Sequence, residues 1–172
     1  ANVKTGLLIE PTFLERNIEA HKQNDTIIVS YTSYTSINQK NSKKKEFKIL
    51  NQIEFLEKFL SKKIKLIGVY GLFKKKYLDE IGGMQITSKS LENSNNEKMG
   101  IYPYADIILP IKISKFGKIA YSYDELIYYD IDDGSRSSTT KDFHAHIESE
   151  KDVRMVIDEI IKENKNLLRI KN

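Results

Sequence analysis

The stretch Thr26-Ile-Ile-Val-Ser-Tyr-Thr-Ser-Tyr34 consists almost entirely of β-branched and aromatic residues, which predicts a strand. Residues 11–23, just before it, carry apolar side chains at three- and four-residue spacing and predict a helix. Pro11 suits the first turn of this helix because the N–H that proline lacks is not needed there. The residues that would form the inner stripe of the helix are Phe13, Leu14, Ile18 and His21.

The rest of the chain continues the alternation of helices and strands. Asn51 can cap a helix over residues 52–62, and Asp106 can begin one over residues 106–116. Ser149 can cap a C-terminal amphipathic helix over residues 149–164. The other predicted segments are a strand at 65–73, a short helix at 75–81, loops at 37–45 and 87–100, and extended pieces at 119–123 and 125–130. This order predicts an α/β fold, a single domain over residues 1–172 with a mixed sheet flanked by helices.

The composition is typical of a globular domain, with 40% hydrophobic and 30% charged residues. The absence of cysteine excludes a disulfide framework and a thiolate metal site. The net charge is +4, and the lysines are clustered at 40–48, 62–65 and 74–76. Such clusters are usually a solvated face, but they also suit phosphates or an anionic membrane surface.

Three stretches resemble, in order and spacing, the C-terminal half of family 2 glycosyltransferases with the GT-A fold. Gly71-Leu-Phe-Lys-Lys-Lys-Tyr-Leu-Asp-Glu-Ile-Gly-Gly83 is similar to the family's strand, basic turn, short helix and Gly-Gly. Ala105-Asp-Ile-Ile-Leu-Pro-Ile-Lys-Ile-Ser-Lys-Phe-Gly-Lys118 resembles its Glu-Asp-x-x-Leu helix followed by Gly-Lys. Glu125-Leu-Ile-Tyr-Tyr-Asp-Ile-Asp-Asp-Gly-Ser-Arg-Ser137 resembles its closing strand and Tyr-Arg-x-His-x-x-Ser-x-Ser segment. The resemblance covers residues 11–140 and implies a partial GT-A fold, the acceptor-binding half without the nucleotide-binding half.

The resemblance also implies roles for particular residues. Asp106 matches the family's catalytic base, although it can equally serve as a helix N-cap. Gly82 and Gly83 match the backbone that lies against the acceptor, or they form a helix C-cap. Ser135 and Arg136 match a loop near the diphosphate, where the alternative is a surface turn.

The chain departs from the family's pattern at several positions. Ala105 replaces an acidic residue, and Asp130 stands where the family often has arginine. Asp132 stands where the family often has a metal-side histidine, and its carboxylate can ligate Mg²⁺ or Mn²⁺. The family's paired metal-binding aspartates do not occur before Pro11.

The resemblance implies an inverting glycosyltransferase, or a fragment of one, that moves a sugar from a nucleotide-sugar to a glycan or lipid-linked acceptor in surface polysaccharide synthesis. The complete enzyme would use Mg²⁺ or Mn²⁺ and would be cytoplasmic, with the lysines suggesting a membrane-peripheral position. The alternative is a glycan-binding module without catalysis. Because a half-domain leaves a sheet edge exposed, we also expect self-association. The lysines and tyrosines match no nucleic-acid-binding motif, so no nucleic-acid partner is expected.

Overall fold

A computed structural model describes residues 7–36, 45–82, 105–129 and 143–163. The strands in these ranges are β1 (Leu7–Ile9), β2 (Ile27–Ser36), β3 (Phe47–Leu50), β4 (Gly71–Phe73) and β5 (Lys118–Tyr129). The helices are α1 (Phe13–Gln23), α2 (Gln52–Leu60), α3 (Lys75–Glu80), α4 (Ala105–Ile113) and α5 (Phe143–Glu163). A single 3₁₀ turn, Ser114–Phe116, follows α4.

The five strands form one mixed sheet in which β2 and β5 are the central, parallel pair. β4 pairs antiparallel with the other side of β2. β1 and β3 both pair antiparallel with the other side of β5, β3 near its beginning and β1 near its end. The predicted α/β class and mixed sheet are therefore confirmed for the described residues.

The two faces of the sheet differ in chemistry. Val29, Tyr31, Ile119 and Tyr121 alternate along β2 and β5 and join the main core, to which α2, α4 and α5 contribute buried side chains. The helix α1 lies on the opposite face, where Ala20 packs in a small cluster with Ile27 and Ala120. The main core therefore lies on one face, and α1 covers a smaller, more polar one.

The predicted inner stripe of α1 was right for Phe13 and His21, which are half-buried, and wrong for Leu14 and Ile18, which are 55% and 39% exposed. The fully buried residues of α1 are Asn17 and Ala20. The buried Asn17 side chain donates from its amide nitrogen to the carbonyl of Phe13 at 2.8 Å, while its Oδ1 has no hydrogen-bond partner among the described residues. The sheet surface beneath α1 includes Ser30, whose hydroxyl donates to the Asn17 carbonyl. The polar surface of the sheet therefore packs against a polar face of α1.

Two strand predictions were also wrong. The strand predicted at 65–73 is reduced to Gly71–Phe73, because the residues before it cross over the sheet instead of pairing in it. The two extended pieces around Asp124 are one strand, β5, whose pairing with β2 shifts register between Thr32 and Ser33. The predicted break thus marks a β-bulge, which inserts extra residues without ending the strand.

Helix ends followed the local sequence chemistry at α2 and α3 but not at α5. Asn51 and Glu54 form the reciprocal capping box at the start of α2, with both hydrogen bonds at 3.0 Å. The helix α3 ends before Gly82, which takes a left-handed φ of 83°. Ser149 does not cap the last helix, since α5 begins six residues earlier, at Phe143.

Candidate functional site

Asp106 lies in the first turn of α4, with its side chain partly buried. Burial raises the pKa of its carboxyl group above the ordinary 3.8, and hydrogen bonds from the backbone N–H groups of Asp106 and Ile107 oppose that rise. The carboxylate is therefore held in place by the helix N-terminus and is at the same time more basic than a solvated aspartate.

The start of α4 is positioned by a close contact between Gly68 and the Asp106 backbone. Pro110 has no N–H to donate to the Asp106 carbonyl four residues earlier, so this carbonyl is released from the helix ladder. A Cβ atom on Gly68 would lie 1.8 Å from that carbonyl oxygen and 2.7 Å from the Pro110 ring. Glycine at 68 and proline at 110 thus fit each other and fix the position of Asp106.

We expect Gly68→Ala to displace the start of α4 and to destabilise the fold by about 1–3 kcal/mol, as overpacking in a rigid site does. The clash is with backbone atoms, which cannot rotate away. Urea unfolding measures the loss. Gly82→Ala is the comparison for a methyl group that meets no neighbouring atoms, with a cost that comes only from the left-handed φ of 83°. Equal stability of Gly68→Ala and the parent protein would contradict the contact.

Two buried tyrosines hold the segment that carries Gly68. The Tyr31 hydroxyl donates to the Gly68 carbonyl at 3.1 Å. The Tyr121 hydroxyl accepts from the Lys65 N–H at 3.1 Å and donates to the Lys65 carbonyl at 3.0 Å. Burial raises the pKa of both phenols, so they remain protonated donors at neutral pH. The hydroxyls take over the backbone bonds that a strand ladder would have supplied.

Of the predicted site residues, Asp106 and Gly82 lie within the described part of the chain. No hydrogen bond within the described residues links Gly82 to Asp106, and the Gly82 amide donates to the Asp79 carbonyl at 3.0 Å, as a helix C-cap does. The helix α3 meets the far end of α4, where Tyr77 stacks on Phe116 at 5.5 Å. The other predicted site residues lie outside the described residues: Gly83, Asp132, Ser135 and Arg136.

Sequence reasoning missed a buried ionic network beside the sheet. Asp124 is 5% exposed, and its carboxylate accepts from the Arg16 guanidinium at 3.0 Å and from the Lys45 N–H. The Lys45 carbonyl accepts from Arg16 at 2.7 Å and from the Ser122 hydroxyl at 3.1 Å. The network ties the beginning of β3 to α1 and to the bulge of β5. The sign of this network in the sequence was Asp124, a single aspartate between the two predicted extended pieces.

No group of three or more acidic or histidine side chains converges among the described residues, so these residues offer no donor set for Mg²⁺ or Mn²⁺. Within the described ranges, no helix has both the length and the apolar character needed to cross a membrane.

In comparisons with known proteins, no protein-family model, no curated protein and no solved structure matches this chain.

Proposed function

We propose that this chain is the acceptor-side part of an inverting glycosyltransferase of the GT-A type, with Asp106 as the general base. The observation that carries the proposal is the state of Asp106. Its carboxyl group is partly buried and its pKa is raised, while Gly68 and Pro110 fix the backbone on which it stands. A base works best when its pKa lies near the working pH, so a raised carboxyl pKa suits this role.

In the proposed reaction, an acceptor hydroxyl oxygen attacks the anomeric carbon of a nucleotide-sugar from the side opposite the diphosphate. The new glycosidic C–O bond forms as the C–O bond to the diphosphate breaks, and the diphosphate leaves with the bonding electron pair. The hydroxyl proton passes to the Asp106 carboxylate. The positive end of the α4 dipole keeps that carboxylate ionised before the transfer, against the effect of burial.

The remaining parts of the proposal concern the ligands and the setting. The donor is a nucleotide-sugar, and the acceptor is a glycan or lipid-linked sugar of a surface polysaccharide, made at the cytoplasmic side near the membrane. Mg²⁺ or Mn²⁺ would neutralise the leaving diphosphate when bound. Asp132 is the candidate ligand of that ion, and since the described residues hold no donor set, we derive no step through the metal.

A transfer assay with the complete gene product tests the function. The protein is incubated with Mg²⁺, Mn²⁺, a panel of nucleotide-sugars and oligosaccharide acceptors, and proton NMR reads the anomeric configuration of any product. We expect transfer with inversion from at least one donor. Retention of configuration, or an absence of both transfer and donor hydrolysis across the panel, would contradict the proposal.

The proposal includes self-association through exposed apolar side chains near β1. Leu14 and Ile18 lie four residues apart on one face of α1 and are exposed, as are Leu8 and Ile9 on β1. We expect the parent chain to associate and the Leu14→Lys/Ile18→Lys variant to be monomeric. Sedimentation velocity measures this, with Met155→Lys on the exposed side of α5 as the control. A parent chain that stays monomeric at high concentration would rule out this surface.

A further inference from the structure

Two lysine ammonium groups lie beside Tyr123, and the backbone of a third lysine binds the neighbouring Tyr121. The rings of Tyr121 and Tyr123 meet edge to face, with centroids 5.0 Å apart. The Lys48 ammonium lies 5.2 Å from the Tyr123 ring centroid, and the Lys45 ammonium donates to the Tyr123 carbonyl at 3.3 Å. The backbone of Lys65 bonds the Tyr121 hydroxyl. The three lysines are exposed, Tyr123 is half-buried, and Tyr121 is buried beside it. We call this group of five residues the lysine–tyrosine surface.

The positions of these residues are fixed by the fold. Lys48 is paired directly with Tyr121 in the antiparallel ladder between β3 and β5. Lys45 is held by the Arg16–Asp124 network, and Tyr123 stands at the bulge of β5. Bulges commonly re-aim side chains beside functional sites. The backbone that carries Lys45 and Lys48 is therefore held in place by the fold.

The lysine–tyrosine surface lies on the same side of the sheet as Asp106. Lys65 is bonded to Tyr121, and Gly68, three residues later, contacts the Asp106 carbonyl. Three residues of extended chain span at most about 11 Å. The Lys65 backbone therefore lies within that distance of the contact that positions the helix carrying Asp106.

The chemistry of the surface favours a charged, soluble ligand over a lipid bilayer. Ile49 is the exposed large apolar residue next to Lys48, and strand alternation turns it to the opposite face. Without apolar side chains to insert, lysines bind a bilayer only by charge. Lysine ammonium groups bind phosphate and carboxylate as point charges, and a tyrosine ring adds apolar area with a polar end.

We infer that the lysine–tyrosine surface binds an anionic glycan, a saccharide chain with carboxylate or phosphate groups, as the acceptor of the Asp106 site. That this ligand is the acceptor rests on the proposed function. That it is anionic rests on the geometry of the surface. Lys48 and Lys65 contact the charged groups, and Tyr123 supports the sugar between them. Glu46, exposed and two residues before Lys48, is the acidic residue that opposes binding.

Isothermal titration of this chain at low salt with three hexasaccharide-sized probes tests the inference. The probes are a galacturonate oligomer, a phosphorylated mannan oligomer and neutral maltohexaose. We expect one or both anionic probes to bind, with the preference identifying carboxylate or phosphate, and maltohexaose to bind at least tenfold more weakly. Lys48→Gln/Lys65→Gln should weaken anionic binding at least tenfold, and Glu46→Gln should strengthen it.

The matched control is Lys75→Gln/Lys76→Gln, which removes the same charge from exposed positions on α3. If both double variants lose affinity equally, or if neither anionic probe binds, the inference is wrong. Stronger binding to anionic phospholipid vesicles or to single-stranded DNA than to either anionic probe also overturns it.

The titration needs no donor and no turnover, so its outcome is independent of the transfer assay. If the anionic probes bind but no transfer occurs, the anion-binding role of the lysine–tyrosine surface is supported and the proposed function is wrong. Transfer to a neutral acceptor at a rate that the lysine variants leave unchanged removes the inference alone.

Discussion

Asp106→Asn is expected to lower turnover by the complete protein about 10²–10⁴-fold, the usual contribution of a positioned general base. Asparagine keeps the size of the side chain and one hydrogen-bond acceptor but cannot take the acceptor proton. In the parent protein, the acid limb of the kcat/KM profile should report a pKa above 3.8, raised by burial. The variant should lose that limb.

The same substitution should leave the fold as stable as before or more stable. Because the folded-state pKa of Asp106 is raised, its contribution to stability is greatest below the unfolded pKa and falls as pH rises through the folded pKa. At neutral pH the parent protein therefore carries the cost of a partly buried charge, which asparagine removes. Urea unfolding at pH 5 and pH 7.5 measures this difference.

Asp79→Asn is the control, since Asp79 is an exposed aspartate whose partner is Lys75 on the surface of α3. We expect turnover to be unchanged there. If Asp106 only stabilises the first turn of α4, then Asp106→Asn will retain turnover, and Asp106→Ala will cost about 0.3–1 kcal/mol of stability. Either retained turnover or an equal loss in the Asp79 variant would remove Asp106 from the catalytic role.

Asp124→Ala is expected to reduce the free energy of unfolding by about 1.5–3 kcal/mol, because it removes a buried carboxylate that accepts from the Arg16 guanidinium, which keeps Glu19 as its other ionic partner. The Arg16 side chain is 12% exposed and Asp124 is 5% exposed, so water has little access to the broken contact. The variant also removes the acceptor of the Lys45 N–H. A domain of this size has only about 5–15 kcal/mol of stability, so the effect is large.

The comparison pair is Arg154 and Glu150, which face solvent on α5 at 2.8 Å. Glu150→Ala should cost no more than about 0.5 kcal/mol. The double variant Arg16→Leu/Asp124→Leu should recover much of the loss, because no uncompensated buried charge remains and the Glu19 side chain, 42% exposed, is solvated. If Asp124→Ala and Glu150→Ala have the same urea midpoint within error, the buried pair contributes no more to stability than the exposed pair.

Much of the secondary structure could be predicted from the sequence because its causes are local. The β-branched and aromatic run at Thr26–Tyr34 formed β2, and Asn51 with Glu54 closed a capping box using atoms three residues apart. Gly82 ended α3 because glycine accepts the left-handed conformation. Asp106 lies in the first turn of a helix, as predicted, because an acidic side chain is favourable at a helix N-terminus.

The tertiary structure decided which faces are buried and which residues share a site. The spacing in α1 predicted Leu14 and Ile18 as core residues, but the polar sheet surface received Asn17 and Ala20 instead. Residues 65–70 have strand composition, yet the Tyr31 and Tyr121 hydroxyls bind their backbone over the sheet. The sequence by itself determined where β2 and α2 begin and where α3 ends, because propensity, caps and turns act over a few residues. Only the fold decided the pairing of Arg16 with Asp124 and of Gly68 with Asp106, because those contacts join residues far apart in the chain.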